Sequence, residues 1–152
     1  MRRHAARWVR WLQVAAGLSI VGALGFATFV AVTGKPQSTL YITLGELRSR
    51  AAESLEIARG SAASRLTPNF VRGQTAQLAP RIASLRDALA DAETNDGGAD
   101  ARIARPLSER LLALTQQLGE RADTPSAAKP IERELSAIVE RLVPLARSAR
   151  PG

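Results

Sequence analysis

The residue types that most often carry catalysis are thinly spread along this chain. Its single histidine, His4, sits in a basic stretch ahead of an apolar segment, far from any part patterned to fold. An imidazole acting as general base needs a partner within hydrogen-bond reach, so His4 reads as part of a charged flank. No serine stands near it, and Ser–Lys chemistry would have to use Lys129, in a loop-like stretch beside Pro130. There is no cysteine, which removes thiol, disulfide and zinc-thiolate chemistry without fixing the compartment. The carboxylates Glu53, Glu56, Glu109, Glu120, Glu132, Glu134 and Glu140 fall mostly off the apolar stripes. They read as solvated faces, whereas an acid–base or metal cluster would need them to point inward. Asp91, Glu93 and Asn95 alternate ahead of Gly97 as in a calcium loop. The glycine is one place late, however, and Arg102 stands where a bidentate glutamate is required. No glycine-rich phosphate loop is present. The expectation is a protein that is not an enzyme, with no catalytic residues, no metal and no cofactor.

The elements that would position any other site begin with a membrane segment. Residues 11–34 contain no charge and would reach ~36 Å as a helix, enough to cross a ~30 Å hydrocarbon core with some tilt. Arg2, Arg3, Arg7 and Arg10 precede it, and Trp8 and Trp11 suit the adjoining interface. The positive-inside rule then puts residues 1–10 in the cytoplasm as a short stub and residues 35–152 outside it, in the periplasm of a bacterial inner-membrane protein. A cleaved signal peptide is the competing reading, but the apolar run is long for one and Ala31-Val32-Thr33 is a poor cleavage site. Within the span, Ala15, Ser19, Ala23, Ala27 and Ala31 recur every fourth residue. They form a stripe of small side chains along which a second helix could approach.

Beyond the span, aromatic residues are scarce (4% of the chain) while alanine, leucine and arginine abound, which favours helix over sheet. Four stretches carry apolar residues at alternating spacings of four and three. They are Leu40-Leu44-Leu47-Ala51, weakening through Leu55 and Ala58; Leu78-Ile82-Leu85-Leu89-Ala92; Leu107-Leu111-Leu114-Leu118; and Ile131-Leu135-Ile138-Leu142-Leu145. Each is a narrow heptad-type stripe of the kind buried in left-handed bundles. Thr67-Pro68-Asn69, the run from Thr94 to Gly98, and Asp123-Thr124-Pro125-Ser126 separate them. Pro130 suits the first turn of the fourth helix, and Pro80 and Pro106 read as further helix starts, with 74–79 and 101–105 as lead-in segments. Pro144 should kink or fray the last helix. Short connections make antiparallel neighbours, so the predicted fold is all-α: one N-terminal transmembrane helix followed by an antiparallel bundle of four helices. The stripes alone are compatible with closure within one chain or between two.

The net charge of +7 would ordinarily direct attention to nucleic acid. Here four of the arginines crowd before the apolar segment, and the remaining charges are mixed in sign with no aromatics interleaved. That is not a nucleic-acid surface. Nineteen of the 21 basic residues are arginine, since Lys35 and Lys129 are the only lysines. Membrane lipid, a second copy of the chain, other membrane proteins and a small anion remain as partners.

The segment Tyr41-Ile42-Thr43-Leu44-Gly45-Glu46-Leu47-Arg48, just past the apolar span, resembles the opening of the periplasmic sensory domain of type IV pilus methyl-accepting chemotaxis proteins. Nitrate and nitrite sensor kinases carry a related domain, whose first helix opens on a pattern like I-N-x-A-G-x-L-R-M. The resemblance implies that Arg48, at the arginine of Gly-x-Leu-Arg, binds an anion near a dimer axis. Here the gap before Gly45 is one residue shorter, Ser49 stands in place of the methionine, and Glu53 occupies the place of a second arginine. A guanidinium fork suits a planar oxyanion. The plainer reading of the same helix is an exposed face on which Glu46 and Arg50 pair at i,i+4. Two functions follow: a membrane-anchored sensory or ligand-responsive module, as a fragment or reduced relative of a receptor, or a structural scaffold of an envelope, secretion or division complex.

Overall fold

The computed structural model describes residues 36–94 and 98–149. The chain divides after Lys35, and the described helices all belong to the second unit, Pro36–Gly152. The expected anchor at 11–34, its small-residue stripe from Ala15 to Ala31, and the stub bearing His4 lie outside the described residues. Among the described helices none is long and apolar enough to cross a membrane.

Four helices follow one another: α1 (Pro36–Ala62), α2 (Pro68–Thr94), α3 (Gly98–Glu120) and α4 (Pro125–Ser148). The described residues contain no strand. Local chemistry sets the boundaries. Helix α1 ends in a Schellman motif, with the Arg65 amide donating to the Gly60 carbonyl (2.8 Å) and the Ser64 amide to that of Ser61 (2.9 Å). Ser64 occupies the left-handed position with φ 54°, a place usually taken by glycine. The Leu66 side chain folds back over Gly60, where a Cβ would lie 2.6 Å from Leu66 Cδ1. Thr67 then caps α2, its hydroxyl accepting from the Phe70 amide at 3.3 Å, with Pro68 in the first helical position.

Sequence reading placed three helix starts too late. Pro80 and Pro106 lie inside α2 and α3, whose helices already include 74–79 and 101–105, and α4 begins at Pro125, ahead of Pro130. Pro144 does not end α4, which continues to Ser148. An interior proline frees the carbonyl four residues earlier and crowds it. All four prolines are exposed, and so are Ala76, Arg102, Ser126 and Glu140, the residues whose carbonyls are freed. Water can therefore satisfy those carbonyls, and the apolar faces are left continuous.

Every leucine and isoleucine of the second, third and fourth stripes is buried, and so are Leu44, Leu47, Ala51, Leu55 and Ala58 of the first. They form one core within a single chain. Leu40 and Ala92, at the stripe ends, are only partly buried. Buried Val71, Thr75, Ala101 and Ala104 lengthen the faces of α2 and α3 beyond the leucine pattern, and buried Ser108 and Thr115 widen that of α3 within it.

The closest-packed pairs are α2 with α3 and α1 with α4; α1–α2 and α3–α4 touch less, and α1 meets α3 across the diagonal. Ion pairs fix the directions. Arg59 near the end of α1 meets Glu132 near the start of α4 (3.6 Å), and Arg105 near the start of α3 meets Glu93 at the end of α2 (3.3 Å). The bundle is therefore up-down-up-down, with the start of α1 and the end of α4 at the same end.

At the opposite end α2 and α3 come close enough that a Cβ on Gly119 would clash with Thr75 Oγ1. That hydroxyl is held by the carbonyls of Val71 (2.9 Å) and Arg72 (3.1 Å). Gly119→Ala should cost about 1–2 kcal/mol in urea unfolding despite alanine's better helix propensity, and Thr75→Ala in the same chain should recover most of it. Equal stability of the single variant and the parent would mean that the two helices are not in contact there. Ser64→Gly relieves a left-handed backbone and should stabilise by about 0.5–1 kcal/mol in the same assay; a loss would contradict the Schellman ending of α1.

Candidate anion-binding groove

Tyr41, Gly45 and Arg48 follow one another at i, i+4 and i+7 on the flank of α1 that faces α4. Across from them stand Ala146 and Arg147 of the last turn of α4. Together these five residues line a groove of about 350 Å3, open to solvent along one side, at the end of the bundle where α1 starts and α4 finishes. Of its lining, Ala146 is buried and Tyr41 half-buried. Its rim is two guanidiniums.

Arg48 and Arg147 are both exposed, and among the described residues neither lies within 4.0 Å of a carboxylate oxygen. Several other surface arginines among the described residues, Arg65 and Arg133 among them, are equally unpaired. What distinguishes Arg48 and Arg147 is that they share a concavity. Arg147 has a partial counter-charge of its own, because the carbonyl end of α4 favours a cation in the last turn. Arg48, near the middle of α1, has none of that kind.

The neighbouring charges on α1 are engaged. Arg50 reaches back to Glu46 (3.3 Å) and forward to Glu53 (3.0 Å), on a face turned away from Arg48. Its Nε is buried with no hydrogen-bond partner. The expected i,i+4 pair of Glu46 and Arg50 is therefore present, and it leaves Arg48 outside the network. The other carboxylates behave as solvated faces: Glu56 and Glu132 pair with Arg59, Glu109 with Arg105, and Glu134 with Arg110. Arg105 is held above the ordinary arginine value by hydrogen bonds to Glu93 first and Glu109 second. No group of three or more histidine or acidic side chains able to hold a metal occurs among the described residues. The segment of the calcium-like pattern from Asn95 to Gly97 lies outside them.

Sequence reasoning singled out Arg48 and missed Arg147. The two are brought together only by the return of α4 beside α1, and no local pattern marks Arg147 as different from other arginines. Gly45 was quoted only as part of a motif. It is exposed, and nothing lies within 4 Å of where its Cβ would be. Because neither guanidinium is tied into the fold, Arg48→Ala and Arg147→Ala should each leave the unfolding free energy within about 0.5 kcal/mol of the parent. A loss above ~1 kcal/mol for either would make that arginine part of the packing instead of a free donor.

No protein-family model matches this chain, and neither the curated proteins nor the solved structures include a significant match.

Proposed function

We propose that this bundle is a ligand-responsive module of the bacterial envelope that takes up a small anion at Arg48, in the groove between α1 and α4. The observation that carries the proposal is an exposed arginine without a carboxylate partner, sharing a concavity with a second such arginine on another helix. Two guanidiniums offer several donors to one oxyanion, and charge-assisted bonds of this type are the stronger class. In this proposal residues 11–34 anchor the protein in the inner membrane, residues 1–10 stay in the cytoplasm, and the bundle stands in the periplasm. Homodimer formation, which the resemblance to chemotaxis and nitrate-sensor domains implies, would put two such grooves in one assembly.

The scaffold alternative rests on the single span, the short cytoplasmic stub and the heptad stripes offered to partner helices. Those stripes close on one another within one chain. Among the described residues the large exposed hydrophobics are Phe70 and Ile103, near the starts of α2 and α3 and so at opposite ends of the bundle. They do not make a patch on which a helix would dock.

The test is thermal melting of the full-length protein in detergent, at constant ionic strength, with nitrate, nitrite, sulfate, phosphate, acetate and benzoate in turn. At least one anion should raise the melting temperature in a saturable way, reaching about 2.7 kcal/mol of stabilisation at a hundred times its Kd. Arg48→Ala should remove the shift without altering the ligand-free melt. Indifference to every anion, or a shift that survives Arg48→Ala, would end the proposal.

A further inference from the structure

A single negative charge would leave the groove electrically unbalanced. Arg48 and Arg147 bring two positive charges to its lining, and no acidic residue is part of it. Carboxylates from the adjoining turns are committed or distant. Glu46 accepts from Arg50 at 3.3 Å, and Asp100 accepts from the Ser148 hydroxyl at 3.0 Å. Glu140 stands seven residues before Arg147, about 10 Å along α4, and does not line the groove. The carbonyl end of α4 supplies only about half a negative charge. Roughly one and a half positive charges are thus left for a ligand, more than a monoanion neutralises.

The second observation is openness. The groove meets solvent along one side, and about 350 Å3 is room for an oxyanion together with several of its waters. Doubly charged ions hold their hydration strongly, so a closed apolar pocket would strip them at a high cost. An open groove can instead take such an ion by its near oxygens and leave the far ones in water. Half-buried Tyr41 adds a phenol to the lining, a further group able to donate.

We infer that the groove is selective for a dianionic oxyanion of the sulfate or phosphate class, shared between Arg48 and Arg147. The inference rests on the anion-binding function proposed above and names its ligand class. Sulfate and phosphate present several oxygens, enough for each guanidinium fork to take its own. Nitrate offers oxygens of the same kind but only one charge to divide between two cations. Coulomb attraction to both arginines doubles with the second charge on the ligand, and charge is therefore what the groove reads.

The experiment is isothermal titration calorimetry on the full-length protein in detergent, at constant ionic strength, with sulfate, inorganic phosphate and nitrate. Sulfate should bind about tenfold more tightly than nitrate. Phosphate should gain about tenfold between about pH 5 and about pH 8.5, as its second proton leaves. Sulfate is doubly charged throughout and should stay within about twofold over the same range, so it reports any titration of the protein itself. Arg147→Gln should bring sulfate to within about threefold of nitrate without lowering the melting temperature, and Arg48→Ala should abolish binding of both. Dihexanoyl phosphatidic acid, below its micellar concentration, separates two sources of the same chemistry. An affinity no tighter than that of phosphate points to a free ion, and one more than about tenfold tighter to a lipid headgroup. Nitrate binding as tightly as sulfate, phosphate affinity indifferent to pH, or a sulfate preference that survives Arg147→Gln would overturn the inference and leave the anion site standing. Absence of binding by all three ions would overturn both.

Discussion

The structure depends on one constraint: four apolar stripes, each too narrow to be buried by a single partner, have to share one core. A heptad seam occupies only part of a helix circumference, so a pair of such helices would leave much of each leucine in water. The short turns bring α1 to α2, α2 to α3 and α3 to α4, but those contacts alone would leave an open sheet of helices. The core is completed only when α4 returns against α1, and this is one of the two closest-packed pairs in the molecule. Leu44, Leu47, Leu135 and Leu142, all at 0% exposure, lie on those two helices. Closure of the terminal helices is therefore what turns four marginal stripes into a core. The groove is a by-product of the same closure, lying between α1 and the last turn of α4.

The four helices do not pack equally, and side-chain size decides the difference. Helix α3 places Ala101, Ala104, Ser108, Thr115 and Gly119 at intervals of three, four and seven, which lets α2 come close along most of its length. The same small residues let α1 reach α3 across the diagonal. There Ser54 Oγ lies 3.1 Å from Thr115 Oγ1, both residues fully buried. Thr115 already bonds to the Leu111 carbonyl at 2.8 Å and has one proton to give, so Ser54 is the donor across the core. Among the described residues this is the buried side chain-to-side chain hydrogen bond that joins two helices. A one-turn slip of α1 against α3 would strand a hydroxyl in an apolar core, which costs about 1–3 kcal/mol in addition to the lost bond. The leucines supply cohesion, and the hydroxyl pair selects one register among the several that interchangeable leucines would tolerate.

Heptad leucines were legible because their periodicity is a property of neighbours in sequence. Leu107-Leu111-Leu114-Leu118 needed nothing beyond spacing to be assigned to a buried face. The prolines were misread because one dimension does not distinguish a proline that starts a helix from one on its wet side. Pro68 does start α2, while Pro80, twelve residues on, rides its outer face. Only the position of Pro80 relative to Leu78 and Ile82 carried that information, and Val71 and Thr75 upstream were too few and too mixed to extend the stripe. The site was half legible for a similar reason. Arg48 stands in a recognisable local pattern, whereas Arg147 becomes its neighbour only through the long-range return of α4. Gly45 carries no side chain to suggest a role, and it faces solvent.

Position also limits what occupancy of the groove could do. Moving α1 along α4 as a rigid piston would unseat whole leucine layers, at a cost of about 2–5 kcal/mol for each buried side chain left unpacked. A small ligand with micromolar to millimolar affinity has only about 4–8 kcal/mol of binding free energy in total. Such a ligand cannot drive that displacement through the core, whatever contacts it makes. The packing thins at the groove end, however: Leu40 and Ala149 are only partly buried, and Leu145 and Ala146 are at the edge of the buried set. On the α1 side, by contrast, Leu44 and Leu47 are fully buried on the same turns as Tyr41, Gly45 and Arg48, so only the last turn of α4 is lightly held. The mechanical response open to this fold is thus a local one, confined to the last turn of α4 beside α1, while the leucine layers stay in register.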